Sequence, residues 1–274
     1  MMLNKISFVG AGSMAESIIA GIIHERHLHA EQIHVTNKDN KERLERLQER
    51  YQVQCTTDRK ESITDADVII LSMKPHDLTS AVEAIKQYIT PNQVVVSVLA
   101  GISIEQISSI VGENIPIIRA MPNTSSSIGY SATAIARGKG VTEEQLNDII
   151  SLFGTIGTTT IIQEKDMHTV TGLSGSGPAY IYYLAEAMEE AAVKSGLDKD
   201  VANELIMQTI IGAGEMLKRS GESAEVLRKK ITSPNGTTQA GLETLEQYNF
   251  QNAIKDCVKS ARERSIELGE NKKR

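Results

Sequence analysis

The 274-residue sequence predicts an α/β domain built on a mostly parallel sheet, residues 1–163, followed by an all-α domain, residues 164–274. Three observations carry this reading. Apolar runs of strand length recur through the first part and stop near Glu164, beyond which only helical patterns follow. Those runs are continuous rather than alternating, as strands covered on both faces must be. The first of them passes through Gly10-Ala11-Gly12-Ser13-Met14-Ala15 into an apolar helical stretch, which is the strand–turn–helix arrangement that holds a dinucleotide.

Lys5 to Val9 reads as a buried strand and Ser17 to Ile23 as the body of the next helix. Gly10 and Gly12 permit a tight turn and close approach of the backbone to a pyrophosphate, and Ala15 lets helix and strand pack closely. The diphosphate then sits on free N–H groups at the helix N-terminus. Gln32 to Thr36 forms the second strand and ends in Asn37-Lys38, where NAD-binding sequences usually carry an acidic residue for the ribose hydroxyls. An amide and a cation suit a 2′-phosphate better, so NADPH is favoured, while Asp39 keeps NADH open. Further strands are predicted at 68–71, 94–99, 115–118, 132–135 and 159–162, with helical patterns between most of them, among them Asp77 to Tyr88 and Ile104 to Val111. The second half reads as helices at 178–195, 198–218, 224–230, 238–248 and 250–268.

Composition narrows the function. A net charge of −6, with no basic run except Lys272-Lys273-Arg274, argues against a nucleic-acid partner. No apolar stretch reaches the roughly 18 residues that a membrane span needs. The chain enters its first strand at once, so no signal peptide is expected, and the protein is placed in the cytoplasm. Cys55 and Cys257 fall in different halves and read as reduced thiols. The six histidines show no metal-ligand spacing, so no metal is expected.

In open α/β sheets, ligands bind beyond the carboxyl ends of the strands. The loops Ser72-Met73-Lys74-Pro75, Ala100-Gly101 and Met121-Pro122-Asn123-Thr124 all fall at that edge beside Gly10 and Gly12. Alone, each loop does no more than end a strand; together they read as a cofactor lining. Leu173 to Tyr180 opens a helix with small residues, Ser176 among them, which leave room for a ligand, and Pro178 stands early where its missing N–H costs nothing. Ser233-Pro234-Asn235-Gly236-Thr237-Thr238 precedes another helix and has two readings, a plain threonine N-cap or an anion pocket for one carboxylate. No nucleophile–base pair is evident, and His168 alone among the histidines is placed to act as an acid. Hydride transfer asks little of side chains beyond orientation, so an oxidoreductase fits. The helix holding Val201, Leu205, Met207, Ile210, Ile211 and Met216 is apolar on more than one face and predicts burial against a second subunit.

Taken in order, the glycine loop, Lys74-Pro75, Met121 to Thr124, Gly172 to Tyr180 and Ser233 to Thr238 resemble the pyrroline-5-carboxylate reductases, from residue 3 to about 268. The resemblance implies NAD(P)H-dependent reduction of 1-pyrroline-5-carboxylate to L-proline, the last step of proline synthesis. It also implies a Rossmann-type domain joined to a helical domain that forms a homodimer or larger homo-oligomer. By matching position, Gly10, Ala11, Gly12, Ser13, Met14, Asn37, Asp39, Arg59, Ser72, Met73, Lys74, Pro75, Leu99 and Ala100 meet the cofactor, joined by Lys38 from the charge argument above. Glu164, Thr237 and Thr238 meet the substrate, with the N–H groups around Gly236 on its carboxylate and Thr238 or Glu164 on its ring nitrogen. Ser125 stands where the family often has proline, Asn235 where glycine is common, and Arg59 where some members have asparagine. A 3-hydroxyacid dehydrogenase of similar build needs a lysine base that is missing between Gly172 and Ala192. A nucleotide sensor without turnover is the alternative from another class.

Overall fold

Continuous apolar strands need cover on both faces, and the computed structural model, which describes residues 3–270, provides it. The chain alternates β1 (Ile6–Val9), α1 (Ser13–His24), β2 (Ile33–Thr36), α2 (Lys41–Tyr51), β3 (Gln54–Cys55), α3 (Arg59–Ile63) and β4 (Val68–Leu71). It continues through α4 (Leu78–Glu83), β5 (Val94–Ser97), α5 (Ile104–Val111), β6 (Ile117–Met121), β7 (Ser131–Arg137), α6 (Glu143–Gly154) and β8 (Gly157–Ile161). These strands form one sheet in the order β3-β2-β1-β4-β5-β6-β7-β8. All neighbours run parallel except β6 and β7. The order reverses between β1 and β4, where Phe8 stands in register with Val35 on one side and Ile70 on the other. That reversal opens a crevice at the carboxyl ends of the two strands.

The two faces bury different residues of the same strands. Phe8, Ile70, Val96 and Ile118 pack with Ile18, Ile19 and Ile22 of α1 and Ile149 and Phe153 of α6. Val9, Ile69, Val95 and Ile117 pack with Leu78 and Val82 of α4 and Ile107 of α5. Each fully buried Ile or Phe contributes roughly 1.5–3 kcal/mol relative to exposure. Helix starts are written in the sequence as capping boxes, Ser103 with Gln106 for α5 and Thr142 with Gln145 for α6.

Three departures from expectation fall around the middle of the sheet. β5 ends at Ser97 rather than Leu99, because the Ser97 hydroxyl accepts the Leu99 N–H (3.3 Å) and turns the chain. β6 starts later than Ile115 and runs on through Arg119 to Met121, so a charged residue that looked like the end of a strand is buried inside it. Asp77 to Tyr88 is not one helix: α4 is flanked by 3-10 turns at Pro75–Asp77 and Lys86–Tyr88.

Beyond the sheet lie α7 (Met167–Val170), a π-helical turn (Thr171–Gly175), α8 (Gly177–Lys194), α9 (Lys199–Arg219), α10 (Ala224–Lys230), α11 (Thr237–Gln247) and α12 (Phe250–Glu270). Two compact units divide at 176/177, not at the expected 163/164, and α12 returns to the first unit from Lys259 onward. Residues 164–176 stay with the sheet for identifiable reasons. Met167 is fully buried with Met121 and Ala136, and Asn123 Nδ2 donates to the Ser174 carbonyl at 3.0 Å. The second unit, Gly177–Val258, holds α8 to α11 and the start of α12. In α9 only Ala202 and Ile206 are buried, whereas Leu205, Met207 and Ile211 are 57%, 60% and 59% exposed. The basic run 272–274 lies outside the described residues.

Gly21 in α1 faces the turn before β8, and a Cβ there would collide with Ile156 and come within 2.9 Å of the Thr155 carbonyl. Gly21→Ala gains about 1 kcal/mol of helix propensity. Overpacking costs about 1–3 kcal/mol. A lower melting temperature is therefore expected; a higher one would show that α1 has room to move.

Candidate active site

The first cluster is built on a close approach of two loops. Gly10 adopts φ +113°, a backbone conformation that favours glycine, and a Cβ there would lie 2.6 Å from the carbonyl carbon of Ser72 and the nitrogen of Met73. The Gly10 N–H donates to the Thr36 carbonyl at 2.8 Å, and the Ser72 hydroxyl donates to the Gly10 carbonyl at 2.9 Å. The turn after β1 is thus locked between the ends of β2 and β4. Gly12 caps α1 without a side chain, so the N–H groups of the first turn remain available to an anion. A cleft of about 780 Å³ opens here. In its wall the buried Thr36 Oγ1 has no protein partner, as suits a polar ligand.

Twelve of the expected cofactor residues line this cleft: Gly10, Ala11, Gly12, Ser13, Met14, Asn37, Lys38, Asp39, Arg59, Ser72, Met73 and Lys74. Pro75, Leu99 and Ala100 do not. Pro75 opens a 3-10 turn, Leu99 is buried in the core against β4 and β5, and Ala100 packs with Met121 and Met167. Asn37 is in the wall, but its amide is committed to Asn40, donating to the carbonyl at 2.8 Å and accepting the N–H at 3.1 Å. The cationic character of the wall therefore comes from Lys38, Arg59, Lys74 and Arg43.

Arg43 was not expected. Its Nε donates to the Ala11 carbonyl at 2.8 Å and its Nη2 pairs with Glu16 at 2.5 Å. Glu16 also accepts from Arg50 at 3.1 Å and from the Tyr51 hydroxyl at 3.2 Å. Partial burial opposes ionisation of Glu16, but these donors and cations outweigh it and hold the carboxyl below its ordinary range. The glycine turn is thereby tied to α2. The available signal was Asn40, whose side chain caps α2 by accepting the Arg43 N–H at 2.9 Å.

A second cluster in the same unit surrounds Glu164. Its Oε1 accepts the Ile104 N–H at 2.6 Å and meets Nη1 of Arg119 at 3.2 Å. Burial lowers the pKa of Arg119, and Glu164 opposes that shift. His168 Nδ1 lies 3.0 Å from the Ser265 hydroxyl. Burial first, then the charges of Arg119 and Arg262, push its pKa below the ordinary histidine range, which disfavours the protonated form that a proton donor needs. Ser176 is half-buried, and its N–H closes the π turn on the Thr171 carbonyl at 2.9 Å. Such turns are common at functional sites.

In the second unit, α11 begins at Thr237, and its N-cap is Gly236 with no side-chain cap bond. The threonine N-cap reading therefore fails, since Thr237 and Thr238 are the first two helical residues. Their N–H groups lie where a helix supplies no partner. Asn235 takes φ +58°, the left-handed conformation that asparagine tolerates, and its N–H donates to Gln239 Oε1 at 2.8 Å. Thr238 is half-buried and Thr237 exposed.

A doubly wound sheet with a glycine turn at its switch point and a cation-lined cleft beside it defines a dinucleotide-dependent oxidoreductase of Rossmann type. Residues 5–101 match the family described as NADP oxidoreductase, coenzyme F420-dependent, and residues 164–268 match the family described as pyrroline-5-carboxylate reductase dimerisation. Pyrroline-5-carboxylate reductase 2 of Bacillus subtilis is 47% identical over 271 residues, 98% of this chain and 96% of its own. A solved pyrroline-5-carboxylate reductase from Coxiella burnetii superposes with a TM-score of 0.90 at 33% identity, covering 98% of this chain and all (100%) of that one. The Plasmodium falciparum pyrroline carboxylate reductase, solved with NADP bound, gives 0.89 at 29% identity, covering 98% and 99%. The chain belongs to the pyrroline-5-carboxylate reductase family.

Proposed function

We infer that this chain reduces 1-pyrroline-5-carboxylate to L-proline with a nicotinamide dinucleotide. The observation that carries this reading is kinship over 98% of the chain, because it takes in both the glycine turn and the Ser233 to Thr238 segment. When bound, the dinucleotide supplies the hydride that the ring C=N carbon accepts, and a proton on the ring nitrogen completes the amine. The protein's contribution is binding and orientation. The N–H groups of Thr237 and Thr238 suit the substrate carboxylate, whereas the Gly236 N–H is already given to the Ser233 carbonyl at 3.0 Å, and Ser176 lies in a small-residue turn that leaves room for the ring. The Thr238 hydroxyl and the Glu164 carboxylate each suit the ring N–H. Gly10 to Met14 with Ser72 to Lys74 suit the pyrophosphate and the ribose beyond it.

Lys38, Arg43 and Arg59 in the cleft wall favour a 2′-phosphate, and the Asn37 amide is held in place by its two hydrogen bonds to Asn40. NADPH is accordingly the proposed reductant, and the cytoplasm, where it is made available, the proposed location. The exposed Leu205, Met207 and Ile211 of α9 support at least a homodimer built through residues 164–268.

Loss of NADPH absorbance on adding 1-pyrroline-5-carboxylate tests the activity, with a higher kcat/KM expected for NADPH than for NADH. Equal or better use of NADH would assign the ribose to Asp39 instead. Light scattering of the active protein at micromolar concentration is expected to report a dimer or larger, and an active monomer would refute that. Thr238→Ala removes one hydrogen bond, worth about 0.5–1.5 kcal/mol to a neutral partner and about 1.5–3 to a charged one. The expected loss in kcat/KM is roughly 3- to 100-fold, with cofactor affinity unchanged. Because Thr238 is not a cap, stability should shift by less than about 0.5 kcal/mol. A destabilised variant with normal kinetics would remove Thr238 from the substrate site.

A further inference from the structure

Arg119 is 1% exposed in the interior of β6, standing in register with Ser97 of β5 and Ala136 of β7. Burying a guanidinium there is costly unless its donors are matched. They are not: Nη1 meets Glu164 Oε1, while Nε and Nη2 have no protein acceptor. An ion pair so incompletely satisfied is a poor device for stability, since an apolar side chain of similar volume often does as well or better. Its geometry serves Glu164 instead. Two donors, Ile104 N–H and Arg119 Nη1, converge on the same oxygen, Oε1. Among the described residues no donor reaches Oε2, and the side chain keeps 33% of its surface exposed. One backbone N–H alone leaves the carboxylate free to turn about that bond, and a second donor from a rigid strand fixes its plane.

We propose that Arg119 is a positioning residue for the reduction, holding the Glu164 carboxylate in one orientation so that Oε2 accepts the ring N–H of the substrate. This rests on the reading of Glu164 as a substrate contact. Arg119 itself touches neither substrate nor cofactor, and its whole effect passes through Glu164.

The test is a double-mutant cycle on the full-length enzyme, reading kcat/KM for 1-pyrroline-5-carboxylate, KM for NADPH and the melting temperature. Glu164→Ala and Arg119→Met are each expected to lower kcat/KM roughly tenfold or more, as loss of a charged hydrogen bond does. KM for NADPH should stay at the wild-type value, Arg119→Lys should recover part of the loss, and the double variant should be no worse than Glu164→Ala. Arg119→Met with wild-type kcat/KM would overturn the proposal, as would losses that multiply in the double variant. A Glu164→Ala enzyme with full activity would instead sink the reading of Glu164. If Arg119→Met does not fold, Arg119→Lys carries the cycle: a loss that vanishes in the Glu164→Ala background supports the proposal, and no loss or a multiplying one overturns it.

Discussion

The organisation of the first unit depends on one steric fact, that the backbones after β1 and β4 approach so closely at Gly10 that no side chain fits between them. Because the turn is pinned to Thr36 on one side and Ser72 on the other, its direction is not adjustable. α1 must then start at Gly12 with its N-terminus toward the crevice, and Ile18, Ile19 and Ile22 must fall on the sheet. The cleft is the space left over by this packing, so the same contact that closes the core also creates the place where a dinucleotide can lie.

The two units solve different problems. The first buries both faces of the central strands of its sheet. The second leaves large apolar side chains of α9 in the open, which an isolated fold does not do without cause. Residues 164–268 match a dimerisation family, which agrees with the proposal that a second copy covers α9, whose apolar residues occupy more of its circumference than one packed face requires.

What could be read from the sequence was whatever a local requirement imposes. A turn that tolerates no Cβ shows as glycine at fixed spacing, and strands covered on both faces show as unbroken apolar runs. The left-handed backbone before α11 falls at Asn235, one of few side chains that accept it, where the family resemblance had pointed to glycine. Features decided by distant partners were not legible. Arg43 reaches Ala11 across 32 residues, and the cap at Asn40 fixes where α2 starts without announcing that contact. Arg119 looked like the end of a strand because its burial depends on Glu164, 45 positions later. The π turn at Thr171–Gly175 has no periodic signature, and β3 is only two residues long, too short to register as a run. The expected boundary at 163/164 followed the last strand pattern, whereas the compact unit extends to Ser176 because Met167 and Ser174 are held on the sheet side.

The return of α12 to the first unit bears on how the chain is made. Gly269 packs directly on the backbone of Gly101, its carbonyl accepts from Gln106 Nε2 at 2.8 Å, and Ser265 meets His168. A ribosome delivers these partners only after the second unit, Gly177–Val258, has emerged. The sheet can assemble during synthesis, since domains generally fold as units from the N-terminus onward. Its final layer cannot. The loop after β5 therefore waits for a segment more than 160 residues downstream, as the 163-residue separation of Gln106 and Gly269 records. In the nascent chain, maturation of the nucleotide-binding unit is consequently timed by the arrival of Ser265 and Gly269 rather than by exit of its own strands.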